Sequence, residues 1–287
     1  GQMTSLATAI LRTLKYSDHF GFPLTLKEIH LRLYSSEPCS LERVFGTLKS
    51  MLKKDTIFRT GDYYHLPGRS SLVARRHKRT QLSSPHFVRA KSLSGRLARI
   101  PGVYAIYLTG SLAMHNSSQS SDIDFMIITR PGRLWTTRLL LTLYTSLLGL
   151  RRTPHSKHNT GKLCLNLYLS PSSYLLPPNR RSLYTAYELI QAIPLHDPHN
   201  TRSALLFANS WISSYLPNFP LPKRTLLNRN SRLQVEKGPA AAGRRVLMVI
   251  ESLSYRLQLS YMRPKITREY ITLNSAFFHP KDPAPKV

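Results

Sequence analysis

Apolar residues recur at helical spacing near the start of the chain. Leu6, Ile10 and Leu14 lie four residues apart, which predicts one apolar face of a first helix. Gly21 and Pro23 follow and are expected to end it. The pattern therefore predicts a helix that packs by one face, followed by a break.

Two more helices and a hairpin are predicted after that break. Thr25 followed by Glu28 fits a capping box, which predicts the start of a short second helix. A third helix is expected over 41–53, and we expect it to bury these residues: Leu41, Val44, Phe45, Leu48 and Leu52. The segments 57–59 and 63–66 flank Gly61 and predict two strands joined by a tight turn.

From Pro101 onwards the pattern indicates strands and helices together. Continuous apolar runs predict strands over 103–108, 122–129 and 162–169, with a helix over 134–150. Helices are also expected over 182–193, 201–215, 244–262 and 267–278, and a basic loop over 217–243. The fold class is α+β. We divide the chain into an N-terminal domain (1–68), a basic helical linker (69–100), a mixed-sheet core (101–180) and a helical C-terminal region (181–287).

The charge of the chain favours polyanionic partners. Lys and Arg number 41 against 14 Asp and Glu, a formal charge of +27. No acid occurs from 63 to 121, while a predicted helix over 73–99, interrupted near Pro85, is rich in Arg and Lys. Such a segment is typical of contact with a phosphate backbone. A chain of this charge disfavours cationic substrates, such as those of antibiotic-modifying transferases.

Cysteine usage and hydropathy favour a cytoplasmic protein. Cys39 and Cys164 are too few for a disulfide framework, and we expect both to be reduced thiols. The most apolar stretch, 139–150, is too short to span a bilayer. We therefore expect no membrane partner.

The chemistry of the chain is concentrated in one segment. Gly110 and Ser111 follow the first core strand, and their small side chains let backbone N–H groups approach a phosphate. Asp122 and Asp124 alternate along the next strand, so both carboxylates face one side. Two such carboxylates repel each other unless a cation lies between them, and Mg²⁺ prefers hard oxygen ligands.

This segment resembles the polymerase-beta-like nucleotidyltransferase superfamily, whose pattern is hydrophobic-Gly-Ser, a spacer, then Asp-hydrophobic-Asp-hydrophobic. The resemblance covers about 103–170. It implies a small mixed sheet that binds a nucleoside triphosphate with Mg²⁺ (or Mn²⁺) and transfers a nucleoside monophosphate to an acceptor hydroxyl. Carried over by position, Gly110 and Ser111 would hold the triphosphate, and Asp122 and Asp124 would be catalytic and bind the metal.

The order of elements in the N-terminal domain resembles the winged helix-turn-helix family. In that family the third helix contacts nucleic acid and the wing contacts the backbone, although such domains also dock proteins. Together with the basic linker, this gives the following candidate nucleic-acid contacts: Arg43, Lys54, Arg75, Arg76, Lys78, Arg79, Arg89 and Lys91.

One position departs from the superfamily pattern. Asn166 stands on the third core strand, where most members carry a further carboxylate that binds metal. An amide oxygen can ligate metal but cannot act as a base. Either two carboxylates suffice, or Glu188 supplies the third, or catalysis is weakened and the domain only binds.

The sequence thus predicts an enzyme, a Mg²⁺-dependent nucleotidyltransferase whose acceptor is RNA or another nucleic acid, with RNA favoured. The alternative is a non-catalytic nucleic-acid-binding protein with a degenerate nucleotidyltransferase domain. A transferase that modifies a protein partner is a further possibility.

Overall fold

The computed structural model describes residues 5–152, 160–223, 241–265 and 269–278. The first part of the chain forms the helices α1 (Ser5–His19), α2 (Leu26–Leu31) and α3 (Leu41–Lys53). Short strands β1 (Leu24–Thr25), β2 (Phe58–Thr60) and β3 (Tyr63–His65) form an antiparallel sheet in the order β1-β3-β2. We call these six elements the N-terminal unit.

Local sequence signals set the boundaries of this unit. The Thr25 side chain accepts from the backbone N–H of Glu28, and the Glu28 carboxylate accepts from the N–H of Thr25, which confirms the predicted capping box. The unit has its own core, with Ile10, Leu24 and Leu48 fully buried. The prediction that Phe45 is buried was wrong, because its ring lies 36% exposed under the ammonium group of Lys49.

A single long helix, α4 (Ser71–Leu97), connects this unit to the rest of the chain. The predicted interruption near Pro85 was wrong, because the helix continues through it. Proline removes one backbone donor and its ring crowds the carbonyl four residues earlier, and apolar packing of α4 against the core offsets this cost. The packed positions are Ala90, Leu93 and Leu97.

A six-stranded mixed sheet forms the centre of the molecule. Its strands are β4 (Val103–Thr109), β5 (Ile123–Thr129), β6 (Leu163–Leu169), β7 (Ile193–His196), β8 (Tyr270–Ile271) and β9 (Ser275–Phe277), in the order β7-β4-β5-β6-β9-β8. The pair β5–β6 is parallel and the other pairs are antiparallel. The parallel pair needs a crossover, which helix α6 (Leu134–Leu147) provides.

Helices cover both faces of the sheet. Helices α7 (Leu183–Gln191) and α8 (Thr201–Ala208) pack on the face that carries Tyr107 and Met126. Helices α4, α6 and α9 (Ala241–Met262) pack on the face that carries Ile106 and Phe125. Because neighbouring strand residues point to opposite faces, both faces are apolar and the strands have continuous apolar sequences.

The C-terminal region differs from the helical prediction. The segment 267–278 is not helical where it is described, since β8 and β9 extend the sheet beyond β6. The Thr272 hydroxyl accepts from the N–H groups of Asn274 and Ser275, which turns the chain between these two strands. The predicted helix over 182–193 ends at Gln191, and β7 follows it. Residues 224–240 of the predicted basic loop lie outside the described residues.

Helix α9 is attached to α6 by buried polar groups. The Glu251 carboxylate accepts from the N–H of Trp135 at 2.6 Å and from the N–H of Thr136 at 2.9 Å, at the start of α6. This carboxylate satisfies two helix donors that have no partner within the helix.

In the described part of the chain, no helix combines the length and apolarity needed to cross a bilayer.

Candidate active site

Three strands of the sheet meet at the two predicted acids. In the register of the sheet, Thr109 at the end of β4 lies opposite Asp124 on β5. On the other side, Asp124 is paired with Cys164 near the start of β6. Asp122 immediately precedes β5. The antiparallel β4–β5 pair and the parallel β5–β6 pair thus bring these residues together at one end of the three inner strands.

Gly110 allows the backbone to approach the Asp124 carboxylate closely. It follows β4 with a φ of +67°, in the left-handed region, and opens the short helix α5 (Gly110–Ala113). A Cβ atom at this position would lie 2.4 Å from Oδ2 of Asp124. Both the backbone angle and the space therefore require glycine at this position. Ser111, the next residue, is exposed.

The environment of Asp124 disfavours its negative charge. Burial raises the pKa of Asp124 to about 7, and the neighbouring charge of Asp122 adds to the rise. Asp122 itself accepts from the Arg152 guanidinium at 2.6 Å. The two acids thus differ in environment, since Asp122 has a cationic partner and Asp124 lies deeper. A cation at Asp124 would relieve this cost.

Cys164 lies with the two acids, and the sequence reasoning missed it. One ligand atom from each of Asp122, Asp124 and Cys164 lies within 4.8 Å of the others. The Cys164 thiol hydrogen bonds to the Asp124 carboxylate, and burial raises the pKa of this thiol to about 12. The signal was available, because Cys164 precedes Asn166 by two positions on the same strand.

Asn166 also contacts Asp124, through its nitrogen. The amide Nδ2 donates to Oδ1 of Asp124 at 3.0 Å, and the side chain is buried. The register of β5 and β6 shifts beside Asn166, which brings both Cys164 and Asn166 towards Asp124. The structure therefore places the predicted ligand beside the acid pair.

A cavity of about 380 Å³ opens from this end of the strands towards the N-terminal unit. Ser111 and Asp124 line it from the core, together with Glu188 on α7. Arg32 and Arg79 line it from the N-terminal unit and from α4. We call this cavity the cleft.

Glu188, the alternative third acid, shares the cleft but lies outside the three-residue group. Its carboxylate accepts from the hydroxyl of Tyr184 at 2.9 Å, and its charge contributes to the raised pKa of Asp124. The side chain is thus positioned to face a molecule bound in the cleft.

The predicted nucleic-acid contacts divide into three groups. The exposed members are Arg43, Lys54, Arg75, Lys78, Arg89 and Lys91. Arg76 is internal, since its guanidinium pairs with Glu28 at 2.6 Å and its side chain is only 13% exposed. Arg79 is half-buried in the cleft and donates to Oδ1 of Asn116 at 3.2 Å.

Comparison with known proteins found no family model, no curated protein and no solved structure that matches this chain. A proposal for its function therefore rests on the geometry of the acids, the glycine and the cleft.

Proposed function

We propose that the chain is a metal-dependent nucleotidyltransferase that moves a nucleoside monophosphate from a nucleoside triphosphate to an acceptor, with RNA favoured as the acceptor. One observation carries this proposal. Gly110 leaves just enough room for the Asp124 carboxylate at the end of a strand, with Asp122 two residues away. A residue with any side chain would displace the acid, so the local structure is built around its position.

The donor groups fit a hard divalent cation. Asp122 and Asp124 would hold Mg²⁺ or Mn²⁺, with Cys164 as a further ligand. The Asn166 oxygen would serve only if the amide turned over, because its nitrogen faces Asp124. Carboxylate oxygens suit both Mg²⁺ and Mn²⁺, whereas a thiol is a better ligand for softer ions than either. When bound, the metal ion would neutralise charge on the reacting phosphates.

The protein residues would orient the reactants and accept a proton. The acceptor oxygen forms a bond to the α-phosphorus, and the bond from that phosphorus to the bridging oxygen breaks, releasing pyrophosphate. Gly110 and Ser111 would hold the triphosphate. Glu188 would take the hydroxyl proton, because its carboxylate lines the same cleft as Asp124 and is held by Tyr184.

The exposed basic side chains of α4 support an RNA acceptor. Arg75, Lys78, Arg89 and Arg96 are spaced by 3, 11 and 7 residues, which are close to whole helical turns. Among the described residues, none of the four forms a salt bridge. We call this set the basic stripe, and propose that it follows a phosphate backbone.

The arrangement of the N-terminal unit supports a second contact with nucleic acid. A helix, a strand, two helices and a hairpin follow one another, as in a winged helix, and Arg43 on α3 is exposed. We propose that α3 and the β2–β3 hairpin help to hold the acceptor.

The test uses a nucleoside triphosphate labelled either at the α- or at the γ-phosphate. The full chain is incubated with each NTP, Mg²⁺ or Mn²⁺ and total RNA. Nucleotidyl transfer puts only the α-label on RNA and releases the γ-label as pyrophosphate. Transfer of the γ-label, or of neither label, would contradict the proposal.

A non-catalytic nucleic-acid-binding protein is the second candidate, and Asn166 favours it. Among the residues of β6, none is a carboxylate, and the Asn166 nitrogen faces Asp124. If this candidate is right, the wild-type chain binds RNA without transferring label. Asn166→Asp and Cys164→Asp would then show whether a restored carboxylate brings back transfer.

A further inference from the structure

One arginine in the wall of the cleft has more hydrogen-bond donors than the surrounding protein has acceptors for them. Arg32 follows α2, and its half-buried guanidinium donates to the Sδ atom of Met114 at 3.0 Å. The guanidinium carbon lies 5.8 Å from the ring centroid of Phe22. A thioether is a weak acceptor, whereas a guanidinium has five N–H donors. Within the described ranges, no oxygen atom accepts a hydrogen bond from this group.

Glu28, the acid whose charge acts on Arg32, is already occupied. Its two carboxylate oxygens accept from Arg76 at 2.6 and 2.8 Å, and one also accepts from the N–H of Thr25. Burial lowers the pKa of Arg32, and the charge of Glu28 offsets only part of this effect. The arginine is therefore held in the cleft at a cost that a ligand oxygen would relieve.

Arg79 reaches the same cleft from α4. It donates to the side-chain oxygen of Asn116 at 3.2 Å, which leaves most of its donors available. Burial lowers the pKa of Arg79, and the positive charge of Arg75 adds to this effect. Arg32 and Arg79 thus bring two guanidinium groups to the wall of one cavity, where the oxygens of an anion would accept hydrogen bonds from both.

We propose that Arg32 and Arg79 bind the phosphate oxygens of a nucleoside triphosphate, so that the N-terminal unit forms part of the nucleotide site. The inference rests on the proposed function for the reaction itself. Guanidinium groups bind phosphate by paired hydrogen bonds. The cleft, of about 380 Å³, lies in the usual range for small-molecule sites, which favours a free nucleotide over an RNA strand. Phe20, which is partly exposed, also lines the cleft and offers apolar surface to the base.

Equilibrium binding to the full chain tests this role. The probes are each common NTP, the matching nucleoside monophosphate, inorganic tripolyphosphate and a single-stranded RNA oligonucleotide, all with Mg²⁺. Arg32→Gln and Arg79→Gln should each weaken NTP and tripolyphosphate binding by about 10-fold or more. Monophosphate binding should change much less. Lys27→Gln, at an exposed position of α2, removes one positive charge from the same unit as Arg32 and is the matched control, so it should change NTP binding by less than about twofold.

A conservative variant and a folding control protect this test. Arg32→Lys keeps the charge but loses the planar fork, so its NTP affinity should lie between those of wild type and Arg32→Gln. Thermal melting of each variant shows whether the fold is intact. Arg32 follows α2 and Arg79 lies on α4. If one glutamine variant fails to fold, the other therefore still tests the inference.

The outcomes separate this inference from the proposed function. Unchanged NTP affinity in both glutamine variants, or no binding of NTP and tripolyphosphate to wild type, overturns the inference. Loss confined to an RNA oligonucleotide also overturns it, because the phosphates would then belong to the acceptor strand. Arginine-dependent NTP binding without any transfer of label supports the inference while the proposed reaction fails.

Discussion

Replacing Gly110 by alanine should damage the acid pair more than it damages the fold. The substitution has two effects. The first is backbone strain, because the residue has a φ of +67°, and the left-handed region costs an L-residue roughly 1–2 kcal/mol. The second is steric, because the new Cβ would lie 2.4 Å from Oδ2 of Asp124, where Cβ contacts below 3.0 Å are essentially never seen.

Gly132 provides the matched control. Its φ is +64°, and a Cβ added there would meet nothing within 4 Å. Gly132→Ala should therefore cost the same roughly 1–2 kcal/mol of unfolding free energy without moving an acid. Gly110→Ala must in addition push the Asp124 carboxylate away by roughly 0.6 Å, and displacements approaching ~1 Å at a reacting centre reduce rates by up to about 100-fold.

The assay measures unfolding free energy by denaturant titration and Mn²⁺ affinity by calorimetry for both variants. We expect similar stability losses, with Mn²⁺ affinity lower by about 10- to 100-fold in Gly110→Ala alone. The reasoning is refuted if Gly110→Ala binds Mn²⁺ and transfers nucleotide as well as Gly132→Ala does.

Three further predictions concern stability, pH and RNA binding. Glu251→Ala should lower the unfolding free energy by about 2 kcal/mol, measured by denaturant titration, because it leaves the N–H groups of Trp135 and Thr136 without their acceptor. The pKa of Asp124, about 7, lies above its ordinary 3.8, so the folded protein binds this proton more tightly. This contribution to stability is present at acid pH and is lost as the pH rises through about 7. It should lower the melting temperature of the metal-free wild type over this range, and the metal-free Asp124→Asn variant should lack this fall in melting temperature. Lys78→Gln and Arg89→Gln should each reduce the salt dependence of single-stranded RNA binding by a log–log slope of about 0.7.

Each of these predictions has a control or a result that would contradict it. Ser252→Ala, at the exposed neighbour of Glu251, should leave stability nearly unchanged, and an equal loss in both variants would count against the capping role. For Asp124, a constant difference in melting temperature between wild type and variant at all pH values would contradict the raised pKa. For RNA binding, an unchanged salt slope would remove the basic stripe from the interface.

Much of the fold could be predicted because local signals and burial agree. The capping box at Thr25 marks the start of α2, and continuous apolar runs mark β4 and β5, which are buried on both faces. In these places a residue's local preference and its tertiary environment favour the same structure.

The prediction was wrong where tertiary pairing decided the outcome. Tyr270 and Phe277 lie in short strands, because the edge of β6 offers backbone partners that the local sequence does not reveal. The helix α4 continues through Pro85 because its apolar residues pack on the core. A short strand such as β7, which contains Pro194, carries too little periodicity to be recognised.

The candidate site could be predicted only in part. Gly110 and the acid pair follow from spacing along two adjacent strands, and the structure brings them together. Cys164 depends on the pairing of β6 with β5, and Arg32 depends on how the N-terminal unit docks on the core. Local sequence gives no sign of Arg32, and for Cys164 it gives only the two-residue spacing from Asn166, so both residues escaped the sequence reasoning.

The most direct test of nucleotidyl transfer compares wild type with the double variant Asp122→Asn, Asp124→Asn. Both proteins are given NTPs labelled at the α-phosphate, Mg²⁺ or Mn²⁺ and RNA, and RNA affinity is measured in parallel. We expect wild type to label RNA and the double variant to bind RNA equally well without labelling it. Equal labelling by both proteins, or tight RNA binding by wild type with no label transferred, would contradict the account.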